Sequence, residues 1–177
     1  MILITGASGF IGSHLLSSII EIYGQEKILA LTSKPTSKCK YLLHNDYFFD
    51  DDYFVNSGFE NIETIIHAGA FIPKSNSDGN SISECNSNVS STAKLLTSNL
   101  PNIKNFVFFS TVDVYGYNSL ISEETNLSPS SLYGHSKVYC EQMITAWAAQ
   151  KKICHQILRI GHVYGEGEEK YAKIIPI

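Results

Sequence analysis

Five short apolar runs rich in β-branched residues, at residues 2–5, 28–32, 64–68, 106–110 and 156–160, are separated by longer segments with helical spacing. The runs are continuous rather than alternating, as strands buried on both faces must be, so the pattern calls for a parallel sheet with helices on each side. Right-handed crossovers then narrow the α/β architecture to a doubly wound parallel sheet. A weaker strand is expected near residues 41–44.

Ile11, Leu15, Ile19 and Tyr23 repeat every four residues and predict a helix over 11–23 with that stripe inward; Val89, Ala93, Leu96 and Leu100 do the same within 82–100. A third helix is predicted over about 131–152, its closing Lys151 and Lys152 suiting the negative end of the helix dipole. The Ser/Asn-rich stretch 75–87 reads as a loop or a frayed helix start. With 177 residues, 44% of them hydrophobic, the chain has material for one core.

A net charge of -4, with 13 Lys and Arg scattered along the sequence, gives no electrostatic footprint for nucleic acid. The N-terminus has neither a basic lead nor an apolar run long enough for a bilayer, so no membrane partner and a soluble cytoplasmic protein are expected. Cys39, Cys85, Cys140 and Cys154 lack CxxC spacing and read as reduced packing residues, with no metal site.

Gly6, Gly9 and Gly12 follow the first strand directly and open the first helix. A helix N-terminus offers N–H groups and partial positive charge to a pyrophosphate, and glycine permits the tight turn and close backbone approach. An ordinary glycine turn is the alternative, disfavoured by the strand before and the helix after. At the end of the second strand, where NAD sites usually place a carboxylate, the sequence has Thr32, Ser33 and Lys34, so NADP is favoured over NAD; a solvated surface lysine is the competing account.

Tyr133 and Lys137 stand four residues apart on the third helix and project from one face. A phenol with a pKa of about 10 is a poor base at neutral pH, but a neighbouring ammonium favours the phenolate. Tyr133 is therefore the candidate general acid/base and Lys137 its activator. Taken alone this spacing is equally met by an aromatic anchor and a surface lysine.

Residues 5–15, TGASGFIGSHL, with GxxGxxG spacing, resemble the extended branch of the short-chain dehydrogenase/reductase family, which includes nucleotide-sugar epimerases, dehydratases and related reductases. The likeness continues through NVSST (88–92), STVDVYG (110–116), YGHSK (133–137) and LRIGHVYG (158–165). It implies a Rossmann fold lacking most of the C-terminal substrate domain: a dinucleotide-binding domain over 1–167, and the start of a truncated substrate-binding region over 168–177.

The resemblance further implies NAD or NADP as cofactor, held by Gly6, Ser8, Gly9, Phe10, Ile11 and Gly12. Asp46 and Tyr47 would meet the adenine, and His67, Ala68 and Gly69 would lie under the nicotinamide ribose. Asn88 would support the active-site lysine, Lys137 would also hold the ribose hydroxyls, and Thr111 would hydrogen-bond the reacting oxygen, with Ser110 as second choice. Members of the family pair through the YxxxK helix and the one before it, so a homodimer is expected, with Tyr139, Ile144 and Trp147 supplying apolar surface for that interface or for the core.

The expected activity is that of an NAD(P)-dependent epimerase or reductase acting on a nucleotide sugar or a similar hydroxy/keto small molecule; the alternative is a catalytically silent NAD(P)-binding or regulatory module. Val112 stands where dehydratases have the first of two acids, which argues against 4,6-dehydration, although Asp113 keeps the second. His162 replaces an asparagine found near the substrate diphosphate in many nucleotide-sugar enzymes, and Glu166, Glu168 and Glu169 place negative charge there.

Overall fold

The computed structural model describes residues 1–75 and 77–168. Strands β1 (Ile2–Thr5), β2 (Ile28–Thr32), β3 (Lys40–Leu43), β4 (Thr64–His67), β5 (Asn105–Thr111) and β6 (Cys154–Ile160) form one sheet in the order β3-β2-β1-β4-β5-β6. Every pairing is parallel, with Ile2 opposite both Ile28 and Thr64. The helices are α1 (Phe10–Tyr23), α2 (Tyr53–Asn56), α3 (Ile82–Thr97) and α4 (Leu132–Lys151). Four residues carry no readable period, so α2 had no signal in the sequence; Phe54 anchors it in the core. Residues 169–177, nearly all of the expected second region, lie outside the described residues.

Strand alternation divides the core between the two faces of the sheet. Ile4, Ile28 and Ala30 pack with Leu16 and Ile19 of α1. Leu3, Leu29, Ile65, Phe106 and Phe108 pack on the other face with Leu95 of α3 and with Cys140 and Ile144 of α4. Helices therefore cover both faces, and the sheet is doubly wound. Phe106 and Phe108 are almost wholly buried, and truncating either to alanine would cost about 3–5 kcal/mol.

Both stripes expected on the first two helices are rotated in the structure. In α1 the buried residues are Gly12, Leu16 and Ile19, while Tyr23 is exposed. The reason is Gly12: the helix turns its narrowest residue toward the β1 turn. In α3 the buried residues are Cys85, Asn88, Ser91, Thr92 and Leu95, and Val89 and Leu96 are only partly buried. There a polar face is turned inward, because it serves the cleft and a buried histidine. The crossovers from β1 run first toward β2 and β3 and then back to β4, so a crevice opens at the carboxyl ends of β1 and β4, the switch point where such sheets bind ligands.

Candidate active site

Backbone meets backbone at that switch point. Gly6 has φ +70°, and a Cβ on it would lie 2.6 Å from Gly69; a Cβ on Gly12 would lie 2.0 Å from the Gly6 carbonyl oxygen. The Gly9 amide donates to that same carbonyl at 2.9 Å. Gly9 is also the N-cap of α1, and no side chain caps the helix. A turn with no room for side chains, delivering an uncapped 14-residue helix to the crevice, fits the pyrophosphate of a dinucleotide.

The crevice is a cleft of about 310 Å³, and Gly6, Ser8, Ser33, Asp46, Tyr47, Gly69 and Asn88 all line it. Lys34 does not line it; its side chain is exposed, and its backbone is tied to the Thr32 hydroxyl through N–H and C=O. Phe10 packs instead against Gly165, and the neighbouring His14 ring nitrogen lies 2.9 Å from the Glu166 carbonyl, which closes the VYG turn onto α1. His44, Phe71, Glu84, Ser87 and Ser91 also line the cleft. Their signal was available in part: Glu84, Ser87, Asn88 and Ser91 recur at helical spacing.

Asp46 and Tyr47 both adopt left-handed backbone, at φ 49° and 58°, a conformation that non-glycine residues seldom take. It seats the Tyr47 ring 4.3 Å from that of His44 and sets its hydroxyl over Gly69, where a Cβ would come within 2.6 Å. Burial pushes the Tyr47 pKa up to about 12 against a hydrogen bond with Thr5, so the phenol stays neutral.

His67 does not reach the cleft. It is 1% exposed beneath it, with Nδ1 2.7 Å from Thr5 Oγ1 and Nε2 3.1 Å from Thr92 Oγ1. The Thr92 hydroxyl donates to the Asn88 carbonyl, so it must accept from His67 Nε2–H; Nδ1 then accepts from Thr5, whose oxygen accepts the Gly69 amide. Burial, and secondarily the charge of Lys137, push the His67 pKa down to about 3. The ring is a neutral strut joining β1, β4 and α3. Asn88 holds the next turn, accepting from the Phe71 amide at 2.7 Å and donating to its carbonyl at 3.2 Å.

Thr111, Tyr133 and Lys137 are not among the residues lining the cleft, which they approach through Phe71; there α4 meets the end of β5 at Gly134, where a Cβ would lie 2.9 Å from the Asp113 carbonyl oxygen and 2.8 Å from Pro129. That contact brings Tyr133, 5% exposed and edge-on to Phe71, beside the residues that follow β5. Ser131 caps the helix, accepting the Gly134 amide at 3.1 Å. Lys137, one turn on, is 2% exposed; its Nζ donates to the Phe109 carbonyl at 2.9 Å and lies 4.7 Å from the centre of the Phe108 ring. Burial pushes its pKa down to about 8, with Cys140 and Glu141 pulling the other way, so at neutral pH it still carries its charge.

Thr111 accepts the Asp113 amide at 3.2 Å, which orients the hydroxyl and leaves its proton to be donated. Ser110 has no such freedom, because its proton goes to Glu141 Oε1 at 2.5 Å. Of the two hydroxyls considered for the reacting oxygen, Thr111 is therefore the one that remains available. Behind them lies a feature that the sequence reading missed. Arg159 grips Glu141 with Nη2 at 2.8 Å and Nε at 3.2 and 3.3 Å, and donates to the Tyr115 hydroxyl through Nη1 at 2.7 Å.

The glycine turn, the switch-point cleft and the buried Tyr133 and Lys137 define a dinucleotide-binding protein of the Rossmann class. The chain belongs to the NAD-dependent epimerase/dehydratase family, whose family model matches residues 2–177. A dTDP-D-glucose 4,6-dehydratase of Dictyostelium discoideum is 29% identical over 201 residues, spanning 99% of this chain and 46% of the relative. Among solved structures, a Bacillus cereus UDP-glucuronic acid 4-epimerase in complex with NAD superposes with a TM-score of 0.76 at 25% identity, over 93% of this chain and 57% of its own. A UDP-glucose 4-epimerase superposes with a TM-score of 0.78 at 27% identity, over 93% of this chain and 52% of its own. The chain thus spans about half the length of these relatives.

Proposed function

We propose that this chain forms the NAD(H)-binding portion of a nucleotide-sugar epimerase, with Thr111, Tyr133 and Lys137 as its proton-transfer set. The observation that carries the reading is Lys137: buried one helical turn after Tyr133, still charged at neutral pH, and bonded to the strand that presents Thr111. Tyr133 takes the proton from a substrate hydroxyl and later returns it. Thr111 donates a hydrogen bond to the same oxygen as its charge grows. Lys137 stabilises the phenolate and holds the ribose next to it. Hydride uptake and return is the chemistry the nicotinamide supplies when bound. A silent binding module would have no use for this set.

The NADP preference expected from Lys34 finds no support in the cleft. Lys34 stands outside it, while Asp46 and Glu84 put carboxylates on its lining, a poor setting for a 2′-phosphate. The relatives named above suggest a nucleoside-diphosphate sugar as substrate. Pairing of two copies along α3 and α4 is part of the same proposal, with the half-exposed Tyr139 as a contact.

Calorimetric titration of the chain with NAD and then NADP tests the reading. Binding of NAD at least about tenfold tighter, or 1.4 kcal/mol, is expected. Tighter NADP would overturn the cofactor assignment, and no binding of either would overturn the whole.

A further inference from the structure

Arg159 is the only arginine in the sequence; the other twelve of its 13 basic residues are lysines. A chain that otherwise uses lysine for positive charge has kept a guanidinium at one place, and there the structure uses what lysine lacks, a planar fork. The fork faces both oxygens of Glu141, which is 4% exposed and also receives the Ser110 proton. Ser110 and Arg159 are partners across the β5–β6 ladder, so two strands converge on one carboxylate of α4.

Lys137 and Glu141 are opposite charges four residues apart on a single helix face, both almost fully buried. That spacing and setting would ordinarily produce an ion pair. Among the described residues none forms between them: Glu141 pairs with Arg159, and Lys137 donates to the Phe109 carbonyl. We propose that Arg159 holds Glu141 away from Lys137, so that the lysine's charge remains available to Tyr133, and that the Glu141–Arg159 pair is a positioning device for proton transfer. The proposal rests on the assignment of Tyr133 and Lys137 above.

Charge counting explains why a pair is needed. Glu141 cancels Arg159, which leaves one positive charge, that of Lys137, opposite the phenol that must become a phenolate. The other groups facing Lys137 are the Phe108 ring and Phe109 carbonyl from β5, Cys140 from α4, and His67 from β4, which stays neutral. Losing Arg159 alone would leave Glu141 a buried carboxylate with Lys137 as its nearest cation. Losing the Glu141 charge alone would leave both Lys137 and Arg159 without the carboxylate that favours their charged forms.

The two single variants must therefore act on Lys137 in opposite directions. The test is a pH titration of the chain labelled with ¹³C at the lysine ε-carbons, followed by NMR, with Lys137→Met to assign the resonance. In Arg159→Gln the Lys137 midpoint should rise by about one pH unit, and in Glu141→Gln it should fall by about as much. A pair that merely pinned α4 to the sheet would lower stability in both variants and leave the midpoint in place, and that result would overturn the proposal. If either variant fails to fold, Arg159→Lys carries the test, because it keeps the charge but loses the fork. A rise smaller than in Arg159→Gln is expected there, and an unchanged midpoint would overturn the proposal. The readout does not need turnover. Opposite shifts in a protein that proves inert on every sugar nucleotide would count against the epimerase reading alone, whereas turnover with an unmoved Lys137 would count against this proposal alone.

Discussion

Around β1, α1 and the end of β4, the cleft is shaped by backbone that leaves no room for a Cβ; beside it, β5, α4 and β6 gather ionisable side chains taken out of water. The first side works by exclusion, with Gly6, Gly12 and Gly69 meeting at distances no side chain could share. Its helix terminus then offers fixed dipoles to any phosphate. The second side works by compensation, with Lys137, Glu141 and Arg159 buried or half-buried and each satisfied by a named partner. Under the proposed function the difference has a reason: binding a constant cofactor group calls for shape, and moving a proton calls for charge that can be adjusted.

The sharpest separation between the two sides should come from Tyr133→Phe. The proposed turnover of a sugar nucleotide should fall by about 10²–10⁴-fold, the usual worth of a general acid/base, while NAD affinity by calorimetry stays as it was. A parallel loss of affinity would show that the two sides are not separable. Gly12→Ala should do the reverse and strike folding and binding together. Its Cβ would meet the Gly6 carbonyl at 2.0 Å, so stability should drop by about 3 kcal/mol in denaturant melts and NAD binding should be lost. A folded variant that still binds NAD would break the account of the cradle.

Lys137→Met should stabilise the protein. The folded pKa of about 8 lies below the usual 10.5, so between those values the unfolded chain holds more protons and stability rises with pH; below about 8 the full penalty stands. Removing the lysine should remove a penalty on the order of 3 kcal/mol, offset by about 1 kcal/mol for the lost bond to Phe109, a net gain of about 2 kcal/mol at pH 7. Urea melts at pH 7 and 10 should show the gain shrinking at the higher pH, and a constant difference would count against buried charge at this site. Asp51→Asn should do least. Its ion pair with Lys94, 2.6 Å long, lies on the surface with Asp51 64% exposed, so a change under about 0.5 kcal/mol is expected in the same melts. A larger effect would blur the contrast between surface and buried charge.

The cradle was almost wholly legible in the sequence, because its message is local: strand, glycines and helix follow one another within a dozen residues. The YxxxK pair was legible for the same reason. The faces of α1 and α3 were misread because hydrophobic periodicity assumes that the inward face is the apolar one. In α3 the inward face carries Asn88, Ser91 and Thr92: Asn88 bonds to Phe71, Thr92 to His67, and Ser91 donates to the Asn88 carbonyl of its own helix. His67 is expected in the turn under the nicotinamide ribose, and its ring lies beneath the cleft, where it joins three elements. Arg159 carried one signal that could have been used, its solitude in a chain of lysines.

The sequence by itself determined the order of the strands and of the three long helices, the glycine turn, and the residues that approach each other within one helix or one turn, since these depend on steric limits and repeats that act over a few residues. Only the tertiary structure decided which charges would share a partner. Lys137 and Glu141 are neighbours on a helix, but the strand partners Ser110 and Arg159, 49 residues apart in the chain and side by side in the sheet, take Glu141 out of that pairing. The cost of burying a charge depends on what else is packed around it, and that is known only once distant segments have met.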